Sequence, residues 1–447
     1  MHLVKSTTAR LNRTIAIISA LIITTSANAQ ENSPYSRYGM GDIVPNQNIV
    51  NRAMGGISAG YSDFQSINFV NPASLGNIRS TIYDIGSDVD IRTLKSNSTP
   101  DKFKSVNTLI SYMQVGFPLS TVKMMKKNKY WGLSFGLRPV TRINYKIETN
   151  NRLSGIDSLN TFYEGSGGIS QANVSTGLKI KNFSAGLSTG YTFGSKDYST
   201  QLSFINDTML YYKSNTATKT RFSGVFLNIG TQYDFNLKNK GLLRLGAYAN
   251  LKQNLNAKRD KINQTIAFDG NGGFNTIDTV SYVNAEEGKV KLPATYGIGF
   301  TYSDVHLVLG ADAEITNWDD YRYYGQKDLV QNSYMLRVGT QYYPAKDNTP
   351  ASKYWSFVKY RAGLYYGNDY VKLDQNNRSN YGVTFGAGLP LTSLQRMSYF
   401  REVVLLNAGL EVGSRGNKQS QSLRENIVRF SVGVSMNARW FAKPKYD

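Results

Sequence analysis

The fold class this sequence predicts is all-β: a transmembrane antiparallel β-barrel of about 14 strands with an N-terminal segment in its lumen. Three observations predict it. Segments of alternating character follow one another almost to the C-terminus, as in Tyr296, Ile298, Phe300 and Tyr302 set against Thr295, Gly297, Gly299 and Thr301. That period of two puts apolar side chains on one face of a strand and small or polar ones on the other. The chain opens on an export signal, so lipid outside and water or a plug inside fit the two faces. Composition agrees: 31 Tyr, 20 Phe and 40 Gly against 4 Trp suit girdled strands with close-packed inward glycines.

Residues 1–29 read as a cleaved signal peptide. Lys5, Arg10 and Arg13 form its basic region, Thr14 to Ile23 its apolar core, and Ala27-Asn28-Ala29 a cleavage site before Gln30. The apolar run is too short to span a bilayer, and no other stretch approaches the ~20 residues a spanning helix needs. The chain has no cysteine, which excludes a disulfide scaffold, a thiol nucleophile and an acylated N-terminal anchor.

Residues 30–79 are rich in Gly, Asn, Ser and Pro and show no sustained alternation, as expected of a hatch or plug. The barrel follows over 80–441, with a periplasmic tail at 442–447. Strands are expected near 80–96, 107–120, 130–149, 169–181, 183–204, 220–238 and 241–266. The second half adds 289–303, 306–324, 331–344, 358–374, 379–391, 401–417 and 425–441. Very short turns at Asn182, Asn239-Lys240 and Ser303-Asp304 alternate with long polar connections at 151–168, 205–219 and 268–287. Short turns belong to the periplasmic rim and long loops to the cell surface, which places both termini in the periplasm of a Gram-negative outer membrane. Three turns are longer, at 121–129, 345–357 and 392–400. The first carries Lys123, Lys126, Lys127 and Lys129 and reads as a solvated turn or a docking patch.

Strand faces follow from the alternation. Leu307, Leu309, Ala311, Ala313 and Ile315 face lipid while Asp312 and Glu314 face inward. Leu243, Leu245, Ala247 and Ala249 do so opposite Arg244, Tyr248 and Asn250. Val404, Leu406, Ala408 and Leu410 lie opposite Asn407 and Glu411, and Val428, Phe430, Val432 and Val434 opposite Arg429. The reverse register would put a basic residue in hydrocarbon at roughly 2–4 kcal/mol near the midplane. With Lys252, Arg337 and Arg361 these inward charges form a lumen network that either ties the strands and plug together or lines a polar conduit. Tyr321, Tyr323 and Tyr324 read as an interfacial girdle, or else as a capture site for a hydrophobic ligand. Pro139, inside the third strand, marks a kink that would weaken pairing and open the wall.

Three segments together resemble the FadL/TodX-type family of outer-membrane proteins. Asn51 to Leu75 carries Met54-Gly55-Gly56, Asp63 and Asn71-Pro72-Ala73, similar to the family's hatch. Leu292-Pro293-Ala294-Thr295 begins a second segment, with Asp312 on the returning strand and Trp318 at its close. The third is the tail with Trp440-Phe441, Lys443 and Lys445, similar to Bacteroidota members. The resemblance implies a hatch-closed barrel, with Gly55 and Gly56 in unusual backbone conformations and Pro72 fixing a rigid turn. It also implies passive uptake of a hydrophobic small molecule through the lumen toward a lateral opening. In the Bacteroidota branch, which includes a barrel component of the type IX secretion system, it implies instead a subunit of a multi-protein envelope machine.

Chemistry is not expected. His306 alone remains after signal removal and reads as a rim residue, so a zinc site is not expected. There is no Gly-x-Ser-x-Gly elbow. Gly386-Ala387-Gly388 lies within a strand pattern and is no dinucleotide fingerprint. Asp319-Asp320 lack further spaced ligands for calcium. No catalytic residue, cofactor or metal is therefore assigned. The net charge of +20 falls to +17 once the three basic and no acidic residues of the signal are removed. Export makes nucleic acid an implausible partner. Lipopolysaccharide, outer-membrane lipid, a hydrophobic ligand and acidic envelope proteins remain, and charge attraction to them would weaken with salt.

Overall fold

In the computed structural model, residues 33–95, 102–152, 158–205, 211–237, 241–268, 273–345, 353–373, 378–392, 402–416 and 424–438 are described. The signal peptide, the tail at 442–447, Trp440-Phe441 and the Asn239-Lys240 turn lie outside them.

Alternating sequence becomes one antiparallel sheet closed on itself. Its strands are β1 Thr81–Lys95, β2 Lys102–Pro118, β3 Lys129–Arg152, β4 Ser158–Ile180, β5 Phe183–Ile205 and β6 Lys213–Asn236. β7 comprises Leu242–Asn250 and Gln253–Phe268, and β8 comprises Phe274–Leu292 and Thr295–Ser303. β9 is Leu307–Thr316, β10 Ser333–Tyr342, β11 Lys359–Asn368, β12 Ser379–Pro390, β13 Val403–Arg415 and β14 Arg424–Ala438. Of the 18 segments in the sheet, two are second halves of interrupted strands and two are two-residue pieces, Asp42–Ile43 and Arg322–Tyr323, leaving a fourteen-stranded wall. β14 pairs with β1 from Arg424–Lys95 to Ala438–Thr81, which closes the ring and removes the sheet edge.

The lipid face is where the alternation put it. Ile298, Phe300, Leu309, Ile315, Phe430 and Val432 are exposed, whereas Arg244, Tyr248, Asp312, Asn407 and Arg429 are buried. Lys252 is a correction. It lies in the two-residue break between the halves of β7, half-exposed, and its ammonium is 3.3 Å from Asp320 rather than in the lumen.

The three long connections are also corrected. Most of 151–168, 205–219 and 268–287 is strand, so β3 to β8 stand well above the lipid belt while β9 to β11 have ten residues each. Beyond the belt both strand faces meet water, so nothing selects apolar residues at alternate positions and the periodic signal disappears. Cross-strand ion pairs hold this tall sheet instead, among them Lys146–Glu164 at 3.0 Å, Arg259–Glu286 at 2.7 Å and Lys258–Glu287 at 3.2 Å.

Residues 33–79 fill the lumen. A 3-10 turn at Pro34–Arg37 leads to a short helix at Ile49–Arg52 and a second 3-10 turn at Pro72–Asn77. Met54, Ile57 and Ile67 are fully buried. The segment begins at the loop end of the barrel, where Ser33 N donates to Asn144 O, and descends to the turn end at Thr81. The first and last described residues therefore lie at opposite ends.

Candidate functional site

The plug is seated in a track of inward glycines. A Cβ on Gly246 would come 1.8 Å from Ala59 O, one on Gly339 2.1 Å from Met54 O, and one on Gly186 2.3 Å from Pro72 C. Wall and plug backbones touch there because the wall has no side chain at those positions. Gly55 and Gly56 take φ of +67° and +90°, the left-handed region that only glycine enters freely. Gly55 N donates to Thr384 Oγ1 at 2.9 Å.

The remaining hatch residues fasten the plug by hydrogen bonds. Asn71 Oδ1 accepts from Ala73 N at 3.1 Å, starting the turn in which Pro72 holds the first position. Its amide nitrogen donates to Ala59 O at 2.7 Å and reaches the wall carbonyls of Thr231 and Ala247. Asp63 accepts from Gln65 N at 3.2 Å and lies 3.6 Å from the Lys359 ammonium. Asp312, from the second resembling segment, accepts Ser58 N at 2.5 Å and Ala59 N at 2.8 Å through one carboxylate oxygen. Motifs some 250 residues apart thus meet, with the wall carboxylate capping plug amides.

The lumen charges separate into local groups. Arg337 donates to Glu314 at 2.9 Å, and Glu314 accepts from Tyr248 OH at 2.5 Å. Arg429 contacts Asp90 at 2.5 Å and Glu411 at 3.0 Å. Arg244 pairs with Asp234 at 2.5 Å, which also holds Lys179. Among the described residues Arg361 pairs with no carboxylate; it donates to Gln341 at 2.8 Å and Asn407 at 2.9 Å. Sequence reading missed a larger cluster near the loop end: Asp42, Arg92, Asp369, Arg378, Arg415 and Glu425, with Asp42 bridging Arg92 and Arg415. It also missed the plug's Arg52, paired with Asp88 at 2.5 Å. The alternation of Asp88, Asp90 and Arg92 with Val89 and Ile91 in β1 was the available signal. Of these groups, Asp42, Arg52, Arg92, Glu314, Arg337, Asp369, Glu411, Arg415 and Arg429 line a cavity of about 320 Å³ that also meets Met40, Trp318 and Tyr370.

Leu292 and Trp318 belong to an apolar cluster at the loop end with Tyr35, Met40, Tyr321 and Tyr370, and the indole stacks on Tyr370 at 4.6 Å. Pro293 and Ala294 form the break in β8, where Ala294 O accepts from Asn317 N at 3.0 Å. The girdle reading of the tyrosines is corrected here. Tyr321 is fully buried in this cluster and Tyr323 shares a 2.7 Å hydrogen bond with Thr220. Tyr323 and Tyr324 spend their hydroxyls on Thr220 and on Glu286 O, while the buried Tyr321 hydroxyl has no partner among the described residues.

The wall is interrupted beside Pro139. β2 and β3 pair only over Met113–Pro118 and Gly132–Leu137, and the β3–β4 register shifts between Pro139 and Thr141. Above Leu137 the two strands part. The plug's Asp42–Ile43 pairs with β3 at Arg142 and Thr141, and Val44 N donates to Val140 O at 3.0 Å. The plug strand thus takes the wall position vacated by β2, leaving a slit lined by Ile43, Val44, Asp90, Asn107, Leu109 and Asn144.

His306 is a rim residue, its Nδ1 2.9 Å from Tyr343 O, and among the described residues no cluster of metal-ligating side chains occurs.

A family model described as BamG matches residues 11–447. No curated protein matches the chain. Among solved structures, the Pseudomonas putida toluene transporter TodX aligns at a TM-score of 0.55 and 15% identity, over 90% of this chain and 100% of its own. The Ralstonia pickettii toluene transporter TbuX aligns at 0.52 and 13%, over 89% and 99%. A Pseudomonas aeruginosa FadL homologue aligns at 0.53 and 14%, over 89% and 98%. These likenesses establish a shared fold.

Proposed function

The chain belongs to the BamG family, and from that premise we propose a FadL-like outer-membrane barrel that binds or moves hydrophobic small molecules through its hatch-closed lumen. One observation carries the reading: the slit between β2 and the plug strand on β3. A barrel gains nothing structural from an interrupted ladder, because unpaired backbone in a membrane wall costs several kcal/mol per group unless it lines a cavity. A side exit gives an apolar ligand a path from the lumen into the bilayer, past the ion pairs of Asp42 with Arg92 and Asp90 with Arg429 that border the slit. The toluene transporters of the same fold support the ligand class. Deleting the protein should abolish saturable uptake of a fatty acid or an aromatic hydrocarbon; unchanged uptake in the deletion strain would sink this reading.

A second reading, a barrel subunit of a multi-protein envelope machine, is favoured by how firmly the plug is held. Arg52–Asp88, Asp312 on Ser58 and Ala59, and the glycine track all oppose displacement. Gentle purification from native membranes separates the two readings. Stoichiometric companion proteins favour the machine, whereas a solitary barrel carrying lipid favours the conduit.

A further inference from the structure

Exposed cations occur at both ends of the barrel, and at the turn end they are gathered together. In the tall sheet at the loop end some are paired, as in Lys146–Glu164, Lys219–Asp197, Arg221–Asp260 and Lys258–Glu287, while Lys102, Lys104, Arg152 and Lys261 are spread over separate hairpins with no carboxylate partner among the described residues. At the turn end, Arg79, Lys123, Lys126, Lys127, Lys129 and Lys181 are all exposed, and among the described residues none has a carboxylate partner. They form one patch. Lys181 N donates to Asn128 O at 2.9 Å, joining two neighbouring turns, and the Arg79 guanidinium stacks 3.6 Å from the Tyr130 ring beside Lys129.

An apolar side chain stands next to this patch. Phe64 is 56% exposed, while Tyr61 and Gln65 beside it in the plug are 3% and 6% exposed. Its carbonyl accepts from Asn437 Nδ2 at 2.8 Å, and the same amide donates to Ser80 at 3.1 Å, immediately beside Arg79. Phe64 belongs to the plug, so it opens into the barrel mouth where bilayer lipid does not reach. An exposed aromatic bordered by unpaired cations has the anatomy of a protein interface: an apolar anchor inside a polar rim.

We propose that the turn end of the barrel docks an acidic segment of another envelope protein, with an apolar residue of that segment seated on Phe64. The proposal rests on the envelope-machine reading and names the chemistry of its partner. The charge steers and orients the encounter, and the aromatic supplies the buried contact.

The test uses the full-length protein purified gently from its own membranes, as wild type and as K123E/K126E/K127E, F64S and K258E variants. Heat-modifiable gel mobility checks that each barrel has folded. A photo-crosslinking residue at position 64 identifies what sits there. The expected result is an adduct with a protein segment rich in Asp and Glu, and retention of that protein reduced roughly tenfold by the triple reversal but not by K258E. F64S should weaken retention as well, and about 1 M salt, with a screening length of ~3 Å, should mimic the reversal. A lipid adduct, or a companion held equally well by the triple variant, overturns the docking surface and leaves the machine reading standing. A wild-type barrel that purifies alone overturns both.

Discussion

At Gly246 a methyl group would meet the Ala59 carbonyl oxygen at 1.8 Å, whereas at Gly409 the nearest atom would be Ser431 Cβ at 3.5 Å. The first contact is with plug backbone that cannot swing aside, and the second is ordinary packing. Gly246→Ala should therefore cost about 1–3 kcal/mol of overpacking, and Gly409→Ala close to nothing. Thermal unfolding followed by heat-modifiable mobility reads both, and equal losses would mean that the plug yields. Arg52 makes a related argument with charge. Arg52→Leu leaves Asp88 buried and unpaired at a cost of about 3–5 kcal/mol, while Arg52→Leu with Asp88→Leu should recover most of it. Such residues differ in legibility. Asp312 could be placed inward from its own strand, but its hydrogen bonds to Ser58 and Ala59 depend on a plug path that no local pattern encodes. Arg378, stacked 3.6 Å from Tyr35, was invisible because no alternating strand carries it.

Among elements, the strands inside lipid were readable because hydrocarbon on one face selects side chains at every second position, as in Leu309, Ala311 and Ala313. The upper parts of β4, β6 and β8 were not, since water on both faces imposes no such selection. Pro139 signalled the kink, yet nothing local announced that Asp42–Ile43 would complete the wall. That arrangement has a measurable consequence. Backbone groups of Ser105–Tyr112 that point toward the slit have no ladder partner among the described residues, whereas Met113–Gly116 pair on both sides. In hydrogen exchange on the detergent-solubilised barrel, about half of the amides from 105 to 112 should exchange quickly while those from 113 to 116 stay protected. Uniform protection across β2 would show the slit closed by pairing and remove the side exit.

For the molecule as a whole, orientation follows from asymmetry between its ends. One end carries the tall sheet of β3 to β8 and the apolar cluster around Trp318 and Tyr370; the other carries tight turns such as Ser303 to Leu307, where Asp304 N donates to Leu307 O at 2.9 Å. Tight turns can cross a bilayer during insertion at less cost than large polar sheets, so the tall end should face the cell surface. An epitope inserted between Phe268 and Phe274 should then bind antibody on intact cells, and one between Asp304 and Val305 only after the outer membrane is permeabilised. The two insertions are internal controls for each other, since each joins a pair of adjacent antiparallel strands, one at either end of the barrel. Labelling of the second site but not the first on intact cells would invert the barrel. The cation patch beside Phe64 would then face lipopolysaccharide rather than periplasmic proteins, and the docking argument would have to be rebuilt around anionic lipid.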